Sequence, residues 1–246
     1  MSALDLQRAV CTLYLDIASR LGELGARHAV RFWNFIPRIH ARMGSRDGGI
    51  LDRYMVFNAG RYAAYVRWHG QKDVGGQAAT ATGIGHSGND LVVHCLSGAR
   101  AGEPIENPRQ VPAYRYSRRR GPMPPCFARA TLVGSARSPV LLVGGTASVL
   151  GEQSVHLGDV RAQALETFWN MAALVGGNGR ERTRREALAR YRTLRIYAVL
   201  GSDASVVRSL AAEHFPSVEV VECVRADVCR RTLLVEIEGT ADGAGV

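Results

Sequence analysis

Over residues 3–24 the apolar positions Leu4, Leu6, Val10, Leu13, Leu15, Ile17, Leu21 and Leu24 recur at mostly helical spacing, and Ser2 stands before them as an N-cap candidate. A helix is predicted there. Residues 30–36 form a compact apolar and aromatic run closed by Pro37, the pattern of a buried strand, and residues 50–68 return to helical spacing. Residues 78–84 and 91–96 are short β-rich runs separated by His86-Ser87-Gly88-Asn89, the layout of a hairpin. The first part of the chain therefore reads α, β, α, β, β.

A polar, proline-punctuated stretch over residues 97–125 follows, and long irregular segments inside compact domains are often functional. An additional strand is predicted near residues 113–116. Beyond it, residues 127–133 and 140–149 read as paired strands, and residues 159–174 as a helix ending at Gly176-Gly177. The charged stretch 180–192 reads as a solvated helix or a loop. Strands are predicted over 194–199, 218–223 and 233–237, with a helix over 204–214. The last five elements repeat the order of the first part. The pattern predicts an α+β fold of one complete C-terminal copy, residues 106–246, and a partial N-terminal copy, residues 1–105, that lacks its opening strands.

Composition narrows the classes. A chain of 246 residues with 46% hydrophobic content is that of a globular protein. No apolar run approaches the roughly 18 residues needed to span a bilayer, and residues 1–9 carry Asp5 and Arg8 rather than a signal pattern. A cytoplasmic protein without membrane attachment is expected. The formal charge of +9 comes from arginine, since Lys72 is the only lysine. Guanidinium forks suit carboxylates and phosphates, but the basic residues lack the interleaved aromatics of a nucleic-acid surface, so no nucleic-acid partner is expected. Cys11, Cys95, Cys126, Cys223 and Cys229 have no paired short spacing, and the histidines form no pair at metal-ligand spacing. Neither a metal nor an organic cofactor is expected. Cys229 stands beside Arg230 and Arg231, whose charges favour a thiolate.

Two family resemblances enter here. Val143-Gly144-Gly145-Thr146-Ala147-Ser148, the run 158–163 and the ending Val235-Glu236-Ile237-Glu238 resemble the YjgF/Rid superfamily of small α+β domains over residues 127–240. The carboxylate-binding arginine of its imine deaminases falls near Val221, which argues against imine deamination. The second resemblance is longer. Arg31-Phe32-Trp33-Asn34-Phe35-Ile36, Asn58-Ala59-Gly60-Arg61, Glu106-Asn107-Pro108-Arg109-Gln110, Tyr114-Arg115-Tyr116, Phe127-Ala128-Arg129-Ala130, Gly145-Thr146-Ala147-Ser148 and the stretch from Ala226 to Glu236 resemble, in order, the motifs of the chorismatases, which are built from two Rid-like halves and are longer at the front. In the tyrosine loop this chain departs from them: Ser117, Arg120 and Met123 occupy the places of a proline, a second tyrosine and an arginine. Arg118, Arg119 or Arg120 is then the candidate replacement for that arginine.

The resemblance implies that chorismate, a dicarboxylate bearing an enolpyruvyl ether, is the substrate, with Glu236 as the acid that protonates the ether's methylene carbon. By alternation alone Glu236 and Glu238 share the face opposite Val235 and Ile237 and read as solvent-facing. As the acid, Glu236 would instead be buried and held protonated by desolvation. Arg61 and Arg129 are the implied carboxylate binders. Tyr114, Tyr116, Thr146 and Gly144 are further implied substrate contacts, the two tyrosines otherwise reading as part of an edge strand and Thr146 as ordinary turn chemistry. Cys229, seven residues before Glu236, resembles the mark of members that form 3-hydroxybenzoate and pyruvate, and its plain reading is a buried structural thiol. Hydrolysis to a dihydroxycyclohexadiene carboxylate, formation of 4-hydroxybenzoate, and a non-catalytic Rid-like binding or assembly protein are the alternatives. An incomplete N-terminal half would leave a free sheet edge, which a homo-oligomer would cover.

Overall fold

The computed structural model describes residues 1–44, 50–70, 74–177 and 180–246. Helix α1 (Ala3–Glu23) begins where the spacing places it, with Ser2 and Asp5 closing a reciprocal capping box. Strand β1 (His28–Pro37) follows, then the short β2 (Arg42–Gly44) and β3 (Ile50–Asp52), which pair with each other. Residues 50–52 are therefore strand, and the predicted helix starts later, as α2 (Arg53–His69), because the Asp52 carboxylate caps it by accepting from the Met55 amide at 2.8 Å.

The predicted hairpin is replaced by a different pairing. β4 (Thr80–His86) lies parallel to β1 on one side, and β5 (Val92–Gly98) lies antiparallel to it on the other. The apolar β1 is buried by being placed between them, with α2 as the crossover that a parallel pair requires. Local turn residues do not reveal that a third strand separates two consecutive ones.

The second half repeats this arrangement and completes it. Its elements are β6 (Glu103–Ile105), β7 (Ala130–Ser135), β8 (Ser138–Ala147), β9 (Val149–Leu150), β10 (Gln153–Ser154), α3 (Val160–Leu174), α4 (Glu181–Leu188), β11 (Tyr191–Ala198), α5 (Gly201–His214), β12 (Val220–Arg225), β13 (Asp227–Val228) and β14 (Val235–Asp242). β11 stands between the parallel β12 and the antiparallel β14, as β1 stands between β4 and β5. β14 then pairs with β8 and β8 with β7, giving the order β12-β11-β14-β8-β7-β6, whereas β5 is an edge of the order β13-β4-β1-β5. This is the complete copy and the partial one. The additional strand of the polar stretch is β6; residues 113–116 are not a strand but a 3-10 turn over Ala113–Arg115, started by Pro112, whose carbonyl accepts from the Arg115 amide. The stretch 180–192 resolves into α4 and the start of β11.

Helices cover one face of each sheet. Phe168 and Met171 on α3, with Val207 and Leu210 on α5, bury Ile196, Val235 and Ile237, and Phe168 meets Phe215 edge-on at 4.9 Å. Tyr14, Phe57 and Tyr65 on α1 and α2 likewise cover Phe32. Shortening the fully buried Ile196 to Val is expected to cost about 1 kcal/mol of stability, read as a lowered urea midpoint.

The remaining faces approach each other where β4 meets β7 and β8. Thr80 and Thr131 hydroxyls hydrogen-bond there at 2.8 Å, and a Cβ on Gly144 would stand 2.8 Å from the Thr80 methyl, so that position requires glycine. The face of β14 carrying Glu236 and Glu238 looks into this seam. Both are buried, 4% and 5% exposed, so the solvent-facing reading of that face fails; the partner sheet covers it.

Candidate active site

The two glutamates on the inner face of β14 have different surroundings. Glu238 accepts hydrogen bonds from Arg31, Trp33, Thr82, Arg195 and Tyr197. Glu236, two residues earlier, has the Cys229 thiol near its carboxyl on the same cavity wall. Burial, then the neighbouring Glu238 charge, push the Glu236 carboxyl up to about 8, against the pull of Arg31 and Arg129. It therefore carries a proton at neutral pH.

Glu236 borders a cavity of about 270 Å³ whose wall is shared by both halves: Asp52, Tyr54 and Arg61 from the N-terminal half, Tyr116 from the polar stretch, Arg129 just before β7, and Cys229 to Leu233 before β14. Arg61 projects from α2 and is 2% exposed. One Nη2 donates to Asn58 Oδ1 at 3.1 Å, while its buried Nε has no partner. Arg129 donates through Nη2 to the Tyr116 hydroxyl at 2.6 Å and to the Val111 carbonyl at 3.0 Å, and its Nε is likewise unpartnered. Two buried guanidinium groups with unused donors in one cavity are equipped to take carboxylates.

The irregular stretch that supplies Tyr116 is pinned in place. Asn107 donates to the Asn170 carbonyl at 2.9 Å, and Arg109 reaches Asn170 Oδ1 at 2.8 Å and Glu166 at 2.6 Å on α3. Gln110, on the cavity wall, donates to the Val149 carbonyl at 3.0 Å.

Of the residues singled out in the sequence, Glu236, Cys229, Arg61, Tyr116 and Arg129 share this cavity. Tyr114, Thr146 and Gly144 do not line it. The Tyr114 ring packs over Gly75, and the Thr146 hydroxyl is turned back to the Gly144 carbonyl at 2.9 Å. Arg119 and Arg120 of the departing loop line the wall, and Arg120 is tied to the Glu152 carbonyl at 2.6 Å. The thiolate expected at Cys229 is not supported: burial, then the adjacent Glu236, push the thiol up to about 12 despite Arg230 and Arg129. Gly145, rather than Gly144, faces the acid, since an added Cβ would collide with Glu236 Oε1. Sequence reasoning passed over Asp52, which fell inside the predicted helical run 50–68, and Tyr54, which carries no motif signal. Among the described residues, no three His, Cys, Asp or Glu side chains are grouped to hold a metal, and no helix is long and apolar enough to cross a membrane.

A buried carboxyl that shares a cavity with two arginines is an arrangement able to support general-acid chemistry on an anionic small molecule. A family model described as chorismatase FkbO/Hyg5-like, N-terminal, matches residues 2–97. A 3-hydroxybenzoate synthase of Streptomyces hygroscopicus is 35% identical over 235 residues, 92% of this chain and 67% of that protein. A chorismatase of Streptomyces rapamycinicus is 37% identical over 238 residues, 92% of this chain and 68% of that protein. A crystal structure of a chorismatase superposes with a TM-score of 0.82 at 31% identity, covering 95% of this chain and 70% of that one. The chain is an enzyme of the chorismatase family, and it spans about two thirds of the length of these curated relatives.

Proposed function

We propose that the protein converts chorismate to 3-hydroxybenzoate and pyruvate, with Glu236 as general acid. The observation that carries this reading is the Glu236 carboxyl, pushed up to about 8 and bordering the cavity that also holds Arg61, Arg129 and Cys229. Protonation of the enolpyruvyl methylene by Glu236 creates an oxocarbenium-like carbon. The neighbouring ring hydroxyl oxygen closes onto the ether-bearing ring carbon as that carbon's bond to the ether oxygen breaks and pyruvate leaves with the electron pair; the oxygen's bond to its original carbon then opens, and loss of the proton from the carbon that now bears the oxygen aromatises the remainder. The two products together contain the atoms of chorismate, so no water is consumed, whereas the hydrolytic alternative takes up one. Arg61 and Arg129 hold the two carboxylates, with Tyr116 steadying Arg129. Residues 106–246 act as the catalytic half, and residues 1–105 contribute Arg61. The choice of 3-hydroxybenzoate rests on Cys229, read as a neutral thiol that directs how the ring cation collapses.

Incubation with chorismate, with pyruvate measured enzymatically and the ring products resolved by chromatography, is expected to give 3-hydroxybenzoate and pyruvate in equal amounts. Accumulation of the dihydroxy acid or 4-hydroxybenzoate would overturn the product, and absence of pyruvate the whole reading. Gly145→Ala, which crowds Glu236 Oε1, is expected to slow pyruvate release while leaving the fold unchanged by circular dichroism.

A further inference from the structure

Glu238 lies outside the cavity wall, yet it is the most heavily engaged side chain behind it. Arg31 Nη2 donates to it at 2.7 Å, Trp33 Nε1 at 2.9 Å, Thr82 Oγ1 at 2.5 Å, and Arg195 Nη1 and the Tyr197 hydroxyl at 3.1 Å each. A carboxylate has about four acceptor positions; five donors from β1, β4 and β11 occupy them. Arg31 and Glu238 are buried, 2% and 5% exposed. A buried ion pair is a weak source of stability, because desolvation of the two charges offsets their attraction and an apolar pair of similar size often does as well. The cluster therefore calls for a reason other than stability.

Its geometry supplies one. Glu238 and Glu236 project from the same face of β14, roughly 6.6 Å apart along the strand. Thr82 ties the cluster to the acid's own wall: its hydroxyl donates to Glu238 and accepts from Arg31 at 2.5 Å and from the Gly145 amide at 3.0 Å. Gly145 is the residue against which the Glu236 carboxyl rests. The charged and titratable groups around Glu236 are Glu238 on its own strand, Arg31 from β1, Arg129 just before β7, Tyr54 from α2 and Cys229 from the segment before β14, with Asp52, Arg61 and Arg230 on the same cavity wall. Among these, Glu238 is the carboxylate on the acid's own strand, and Arg31 is the cation bound directly to it.

We propose that Glu238 is a positioning residue for the acid Glu236: a fixed negative charge, clamped by Arg31 and Thr82, that keeps the adjacent carboxyl in its proton-carrying form, with Arg31 as the counterweight. This rests on Glu236 being the proton donor. A like charge nearby disfavours ionisation and an opposite charge favours it, so the two members of the pair act on Glu236 in opposite senses. Removing each in turn separates this role from a structural one.

The experiment is the pH dependence of kcat for pyruvate release from chorismate in the full chain, for the parent, Glu238→Gln and Arg31→Gln. A second readout is the carbonyl stretch of protonated Glu236 in infrared difference spectra against Glu236→Gln. In Glu238→Gln the alkaline fall in kcat and the loss of that stretch are expected to move down by about one pH unit; in Arg31→Gln both are expected to move up. Unmoved midpoints in folded variants, or shifts in the same direction, would overturn the proposal even if activity drops. Should Glu238→Gln fail to fold, Arg31→Gln decides, an upward shift supporting the role and any other result removing it. If Glu236→Gln is as active as the parent, the assignment of the acid has failed. If Glu236→Gln is inactive and the Glu238→Gln midpoints do not move, only the positioning role has.

Discussion

Glu236→Gln is expected to lower kcat for pyruvate release by roughly 100- to 10,000-fold, the usual contribution of a positioned general acid. The change is nearly isosteric, so KM for chorismate should move little. The pH behaviour provides the second half of the prediction. The reaction needs the protonated acid, whose carboxyl is pushed up to about 8 by burial and by Glu238. The parent's kcat is therefore flat below that range and falls as pH rises through it, and the residual activity of the variant lacks this fall. Stability follows the same linkage. A carboxyl whose folded value lies above its ordinary 4.5 contributes stability that is fully present below that ordinary value and is lost as pH rises through about 8. The glutamine variant, which cannot ionise, should then melt above the parent at pH 9, with the gap narrower at pH 6 and closed only below the ordinary carboxyl value of 4.5.

Arg129→Met is expected to reduce kcat/KM by roughly 10- to 100-fold, the loss of a charge-assisted hydrogen bond to a substrate carboxylate. Its expression is mainly in KM, because a carboxylate remote from the reacting bond is held alike before and during reaction. The guanidinium also spans Tyr116 and the Val111 carbonyl and stacks 5.2 Å from the Phe127 ring centroid. Arg129→Lys, a point charge without that fork, should recover little. Steady-state kinetics on the two variants check both statements.

How far the sequence reached depended on the range of the interaction. The helices and most strands were legible from periodicity, because each rests on which side of one segment is apolar. The pairing of β1 with both β4 and β5 was not, since adjacency in a sheet is a long-range outcome that turn residues do not encode. Tyr114 and Tyr116 illustrate the cost of a wrong local geometry. On a strand, residues two apart share a face, but the 3-10 turn begun at Pro112 separates them, and Tyr116 alone lines the cavity. Alternation put Glu236 and Glu238 on one face of β14, but which side was buried depended on the second sheet. Cys229 was misread for a related reason: its neighbours in sequence are arginines, while in the fold desolvation outweighs them. Gly145 was visible only as one of a glycine pair, and its role required the position of the Glu236 carboxyl.

The repeated topology has one further consequence. β5 is the counterpart of β14, yet its sequence, Val92-Val93-His94-Cys95-Leu96-Ser97-Gly98, holds no carboxylate, while α2 presents Arg61 to the shared cavity. Under the proposed function the two units of like architecture take unequal duties, one carrying the proton donor and Arg129, the other adding Arg61. In a symmetric pair of such units each proton donor would face its own duplicate, whereas the unequal pair leaves one centre with a single direction through it.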